Sequence, residues 1–121
     1  PPGNFAYYSI FDANGDLYVS GSFAAYGSSD GNRIVKITDL GGTPTVNGLG
    51  IGTNGTVYSM AISPAGTLYI GGSFTTAGGV AGTSKIAYWN GSVWNAVSAG
   101  LNSTVYSLAF APNGDLYIGG Q

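Results

Sequence analysis

One segment of this chain is written twice. Residues 57–72 read Val-Tyr-Ser-Met-Ala-Ile-Ser-Pro-Ala-Gly-Thr-Leu-Tyr-Ile-Gly-Gly, and residues 105–120, 48 positions later, match them at 11 of 16 places. Two of the differences, Met60 for Leu108 and Ile62 for Phe110, exchange one apolar side chain for another. A more divergent copy runs from Tyr8 to Phe23, with its Gly15 lying 51 positions before Gly66. A period of this length is the signature of a repeat architecture, in which one supersecondary unit cannot bury its own apolar face and stacks on its neighbours.

Each copy reads as a β-hairpin. Apolar and small residues alternate along the first strand, with Tyr106, Leu108 and Phe110 on one side and Ser107, Ala109 and Ala111 on the other. Pro112-Asn113-Gly114 supplies the turn, with Gly114 taking the positive φ that closes a type I turn with a bulge. Pro64-Ala65-Gly66 and Ala13-Asn14-Gly15 occupy the same place. In the return strand Leu116 and Ile118 alternate with Tyr117, as Leu68 and Ile70 do with Tyr69, so both faces carry apolar bulk and both are expected to be covered. The corresponding tyrosine of the first copy is Tyr18.

A second hairpin follows in each unit. Ile86-Ala87-Tyr88-Trp89, Asn90-Gly91 and residues 92–97 carry the two-residue Asn-Gly turn, a strong short-range hairpin signal. Residues 33–37, the Gly41-Gly42 turn and residues 43–46 are its counterpart. The expected fold is therefore all-β: four short antiparallel strands per unit, in about 2.5 repeats of 48–51 residues. That pattern fits β-propeller-like blades, in an incomplete ring or a stacked assembly. The units divide as 1–56 (degenerate), 57–104, and 105–121, the first hairpin of a third. The half unit leads to the expectation of a fragment of a longer repeat protein, or of a subunit completed by other copies of itself. The opening Pro1-Pro2-Gly3, with no Met, suggests a processed or excised chain.

Composition narrows the function classes. Charged residues make up 7% of the chain, against about 25% in a typical soluble domain, while aromatics reach 13%. With 22 glycines and no Glu, helix is disfavoured. Three cationic residues and a net charge of −2 give no stripe for phosphates, so nucleic acid is not an expected partner. Polar residues interrupt every apolar run, so no membrane-inserted helix is expected. Without His or Cys, the chain can build neither a Ser–His–Asp or Cys–His triad nor a Cys/His zinc site. No catalytic residue, cofactor site or enzymatic activity is expected.

Three features remain as candidate sites. Asp12, Asn14 and Asp16 place oxygen ligands at alternate positions, as at the start of a calcium loop, and equally as in a hairpin turn whose side chains bond the backbone. Tyr88, Trp89 and Trp94 could stack on sugars, or be buried between units. Asn54, Asn90 and Asn102 each begin an Asn-x-Ser/Thr sequon that accepts N-glycans in a secreted protein. The paired glycines Gly71-Gly72 and Gly119-Gly120 lack the Lys and following helix of a phosphate loop, and read as points of close backbone approach. Arg33 and Lys85, before the third strand of each unit, read as guards of a sheet edge.

The run Leu68-Tyr69-Ile70-Gly71-Gly72-Ser73-Phe74, followed by Ile86-Ala87-Tyr88-Trp89-Asn90-Gly91 and Trp94, resembles the repeats of kelch and galactose-oxidase-type propellers. Similar units occur in tandem in bacterial and phage surface proteins. The resemblance covers nearly the whole chain and implies an array of blades with variable loops at residues 26–33 and 75–84. It does not imply oxidation chemistry, because the copper site of that enzyme type needs His and Cys. The expected role is a non-catalytic extracellular scaffold or recognition module at a cell or virion surface. A self-assembling filament subunit and a glycan-binding lectin-type propeller are the alternatives. Expected partners are further repeats, other copies of the chain, or glycans.

Overall fold

The computed structural model of the chain describes residues 6–21, 34–38, 41–48, 53–80, 82–91, 93–97 and 103–120. These are all-β, without helix. The first four-stranded sheet comprises β1 (Ala6–Phe11), β2 (Leu17–Gly21), β3 (Ile34–Thr38) and β4 (Thr45–Gly48). The second comprises β5 (Val57–Ile62), β6 (Leu68–Gly72), β7 (Ile86–Trp89) and β8 (Trp94–Ala96). A two-stranded sheet, β9 (Val105–Phe110) and β10 (Leu116–Gly120), completes the described chain. All pairings are antiparallel between strands consecutive in sequence.

The three turns that join first to second strands are alike. In each, a backbone amide donates across the loop, from Asp12, Ser63 and Ala111 to the carbonyls of Asp16, Thr67 and Asp115 at 2.8–2.9 Å. The glycine amide closes the inner bond, and Gly15, Gly66 and Gly114 have φ of 84°, 90° and 93°. This is the type I turn with a glycine bulge that the sequence calls for.

The second sheet lies between the other two. On one side Val57, Met60, Leu68, Ile70, Ala87 and Trp94 pack with Tyr18 and Ile34 of the first sheet, together with Phe74 and Ala77. On the other side Ala61 and Ile86 meet Val105 and Leu108 of the third, flanked by Tyr69, Val97, Phe110 and Leu116. Complete burial of each such Val, Leu, Ile or Met is worth about 1.5–3 kcal/mol. The leading strands β1, β5 and β9 are neighbours in this stack. The expected two-sided cover thus holds for β5–β6. It does not hold for β9–β10, where Tyr117 is 62% exposed and Ile118 is also open.

The side-chain alternation expected in the first strands is broken near their starts. Gly119 pairs with Ser107 but Gly120 pairs with Val105, so Tyr106 is an extra residue in a bulge. Val105, not Tyr106, therefore joins Leu108 in the core, and Tyr106 remains 48% exposed. The same irregularity falls at Val57/Ser59 and Ala6/Tyr8. The two bulged tyrosines Tyr58 and Tyr106 meet each other, ring centroids 5.1 Å apart.

One further expectation is refined and one corrected. The loop expected around residues 75–84 is exposed at Thr75 and Gly79 but anchored inward by Ala77 and Thr83, which are fully buried. The Thr83 hydroxyl accepts from the Ala77 amide and donates to the Val80 carbonyl, while Asn54 Oδ1 accepts from the amides of Thr75 and Thr76. Lys85 does not guard an edge, because β7, which follows it, is an interior strand of its sheet. The loop at residues 26–33, including Arg33, lies outside the described residues.

Candidate functional site

Asp12, Asn14 and Lys36 come together at a crevice of about 310 Å³ between the turns of the first two sheets. Asp12, Asn14, Tyr18 and Lys36 line it from the first sheet. From the second come the β5–β6 turn, Ala65, Gly66 and Thr67, and the β7–β8 turn with Trp89, Asn90 and Gly91.

Strand register builds this arrangement. Tyr18 pairs with Lys36 across β2 and β3, so both side chains project from the same face, toward the second sheet. Lys36 Nζ lies 5.3 Å from the Tyr18 ring centroid, 3.7 Å from Asp12 Oδ2 and 3.6 Å from Asp16 Oδ2. These are ion pairs, longer than the 2.7–2.9 Å of a charge-assisted hydrogen bond. Burial, the largest single influence, lowers the affinity of Lys36 for its proton. The Tyr18 oxygen and the two carboxylates together outweigh it and hold the ammonium above its ordinary 10.5.

Asp12, Asn14 and Asp16 form the turn. Asp12 Oδ1 accepts from the amides of Asn14 and Asp16 at 2.9 and 3.0 Å, and Lys36 supplies the cation for both carboxylates. The Ser63 hydroxyl makes the matching bond to the Thr67 amide in the second sheet. Among the described residues no three His, Cys, Asp or Glu side chains gather as a metal-binding group.

Trp94 is buried and Trp89 half-buried, with ring centroids 5.1 Å apart, so only Trp89 reaches the crevice. Tyr88 lies on the opposite face of the second sheet, 5.3 Å from Tyr69. The glycine pairs are points of close approach: a Cβ on Gly71 would lie 2.5 Å from Val105 Cγ1, and one on Gly72 would collide with the Thr56 carbonyl. Gly120 repeats the Gly72 arrangement by facing the Thr104 carbonyl, whereas Gly119 meets only Ser107 of its own hairpin. Of the sequon asparagines, Asn54 is bonded through Nδ2 to the Thr75 hydroxyl, and Asn90 stands exposed with Oδ1 accepting from Val93 N. Asn102 lies outside the described residues.

Sequence reasoning assigned no role to Lys36, Ser20 or Thr83. The signal for Lys36 was its place in the repeat, where the next unit has Tyr88. No protein-family model, curated protein or solved structure matches the chain. The kelch resemblance therefore rests on residues 68–74 and 86–94 themselves.

Proposed function

We propose that the chain is a non-catalytic, β-propeller-like repeat module, serving as a rigid scaffold or recognition surface outside a cell or on a virion. One observation carries this reading. The open face of the third hairpin repeats the face of the second sheet that the third hairpin itself covers: Ser107, Ala109, Tyr117 and Gly119 stand for Ser59, Ala61, Tyr69 and Gly71. A surface that already receives one such hairpin, with Val105 over Gly71 and the Leu108 amide donating to Ser59 Oγ at 3.1 Å, is suited to receive the next. Adjacent leading strands β1, β5 and β9 support a radial array of blades. The absence of His and Cys supports a non-catalytic role, and the low charge with an exposed Asn90 sequon supports an extracellular one.

The test is hydrogen exchange on a chain extended after Gly120 by a second copy of residues 73–120. In the native chain, β9 and β10 amides are expected to exchange faster than those of β5 and β6. In the extended chain they slow to match. Unchanged exchange in β9 and β10 would refute the reading.

A second reading, subunit of a self-assembling filament, is favoured by Phe11, 62% exposed on the outer face of the first sheet, opposite the open Tyr117. Contacts between two different ends do not close on themselves and generate fibres. Sedimentation of the native chain distinguishes it: concentration-dependent growth that Gly119→Val abolishes supports assembly through these ends.

A further inference from the structure

The crevice between the first and second sheets departs from the repeat that surrounds it. Between the second sheet and the third hairpin the equivalent positions carry packed rings: Tyr69 lies 5.3 Å from Tyr88 and 5.2 Å, edge-on, from Phe110. Between the first two sheets, Lys36 replaces Tyr88, Asp12 and Asp16 replace Ser63 and Thr67, and Asn14 replaces Ala65. Aromatic packing gives way to an open space of about 310 Å³. Among the described residues, charged side chains other than these three occur only at Lys85 and Asp115. In a chain so poor in charge, three of the five charged side chains among the described residues meet at this one place, paired with each other and still partly open to solvent.

We infer that this crevice binds one ring of a neutral saccharide. Its volume sits at the lower end of small-molecule sites, about 300–1,000 Å³, which suits a single ring. Lys36 and the two carboxylates largely neutralise each other, with a residual negative charge that disfavours anions. Lys36 and Asp12 both line the crevice, and their 3.7 Å pair leaves ammonium protons and carboxylate lone pairs for a sugar hydroxyl, which accepts from the ammonium and donates to the carboxylate. Asn14 adds an amide at the rim, and the half-buried indole of Trp89 offers an apolar wall to the C–H face of a pyranose. The inference does not rest on the ring or filament readings, since only the packing of the first two sheets enters it.

The experiment is a two-dimensional amide NMR titration of the 121-residue chain with the methyl glycosides of glucose, galactose, mannose and N-acetylglucosamine. At least one is expected to shift the amides of Gly66, Thr67 and Gly91 and the Trp89 indole N–H. Those of Gly114 and Asp115, in the matching turn of the third hairpin, stay fixed. Lys36→Gln abolishes the shifts, and Asn14→Ala, at an exposed position, weakens binding about three- to tenfold, as loss of one hydrogen bond does. No shift with any of the four glycosides would overturn the inference. So would shifts that survive Lys36→Gln, equal shifts with the open-chain polyol sorbitol, or a response to calcium chloride alone.

Discussion

Val105 stands where a side chain on Gly71 would have to go. A Cβ at Gly71 would lie 2.5 Å from Val105 Cγ1, 3.1 Å from its Cβ and 3.4 Å from Leu108 Cδ1. Val105 is buried and β-branched, so it cannot swing aside, and the third hairpin as a whole would have to move away.

Gly71→Ala is therefore expected to destabilise the packing of β9–β10 on the second sheet by about 1–3 kcal/mol, the usual cost of overfilling a packed site. Gly119→Ala is the control. At that equivalent position a new Cβ meets only the Ser107 hydroxyl and carbon, on an exposed side chain. Its effect is expected to stay within about 0.5 kcal/mol. Urea unfolding of both variants checks the difference, and equal losses would mean that Val105 does not dock on Gly71.

Ser20 occupies in the first sheet the place that Gly71 holds in the second, and its fully buried Oγ has no hydrogen-bond partner. A buried hydroxyl without a partner costs about 1–3 kcal/mol of lost hydration. Ser20→Ala keeps the Cβ and removes the orphan oxygen, so it should raise stability by about 1 kcal/mol. The urea midpoint should rise at constant slope. A fall would show that the hydroxyl has found a partner.

Much of this arrangement is legible in the sequence, and the illegible parts have physical reasons. The turns are readable because the Gly15, Gly66 and Gly114 positions each demand a positive φ, and the period is readable because Leu-Tyr-Ile-Gly-Gly recurs. The bulge at Tyr106 is hidden, because it depends on how β9 registers against β10 and the letters alternate smoothly through it. The tying of residues 75–84 is hidden because Thr and Asn are ordinary loop residues until Thr83 and Asn54 are seen to bind backbone. The crevice is half legible: Lys36 against Tyr88 is visible on self-comparison, but its meeting with Asp12 and Asp16 needs the pairing of β2 with β3.

Lys36 predicts a pH dependence. Its ammonium is held above 10.5, so its folded form binds the proton more tightly than the unfolded chain does. The resulting stabilisation is fully present below about pH 10.5 and disappears as pH rises through the higher folded value. Because the pair is partly open to solvent, it is worth about 1 kcal/mol or less. The readout is the difference between the native chain and Lys36→Gln, which cancels the contribution of every group common to both. That difference should be steady from pH 7 to 9 and shrink toward zero at strongly alkaline pH. A difference that persists there would assign the role of Lys36 to its aliphatic stem.

The most local of these interactions is at Thr83, fully buried, whose hydroxyl joins the two arms of the loop that returns from β6 to β7. It accepts from Ala77 N at 2.8 Å and donates to Val80 O at 2.6 Å. Thr83→Val preserves shape almost atom for atom but strands a buried amide, so the cost should be about 1–3 kcal/mol. Ala77 and Phe74 belong to the core shared by the first two sheets, so the loss should spread beyond the loop. Thr83→Ser keeps the oxygen and loses one methyl group, and should recover most of the stability. Amide exchange at Ala77 provides the direct measurement: it should accelerate in Thr83→Val and remain slow in Thr83→Ser. Equal exchange in both would mean that the Thr83 methyl group, not its hydroxyl, holds the loop down.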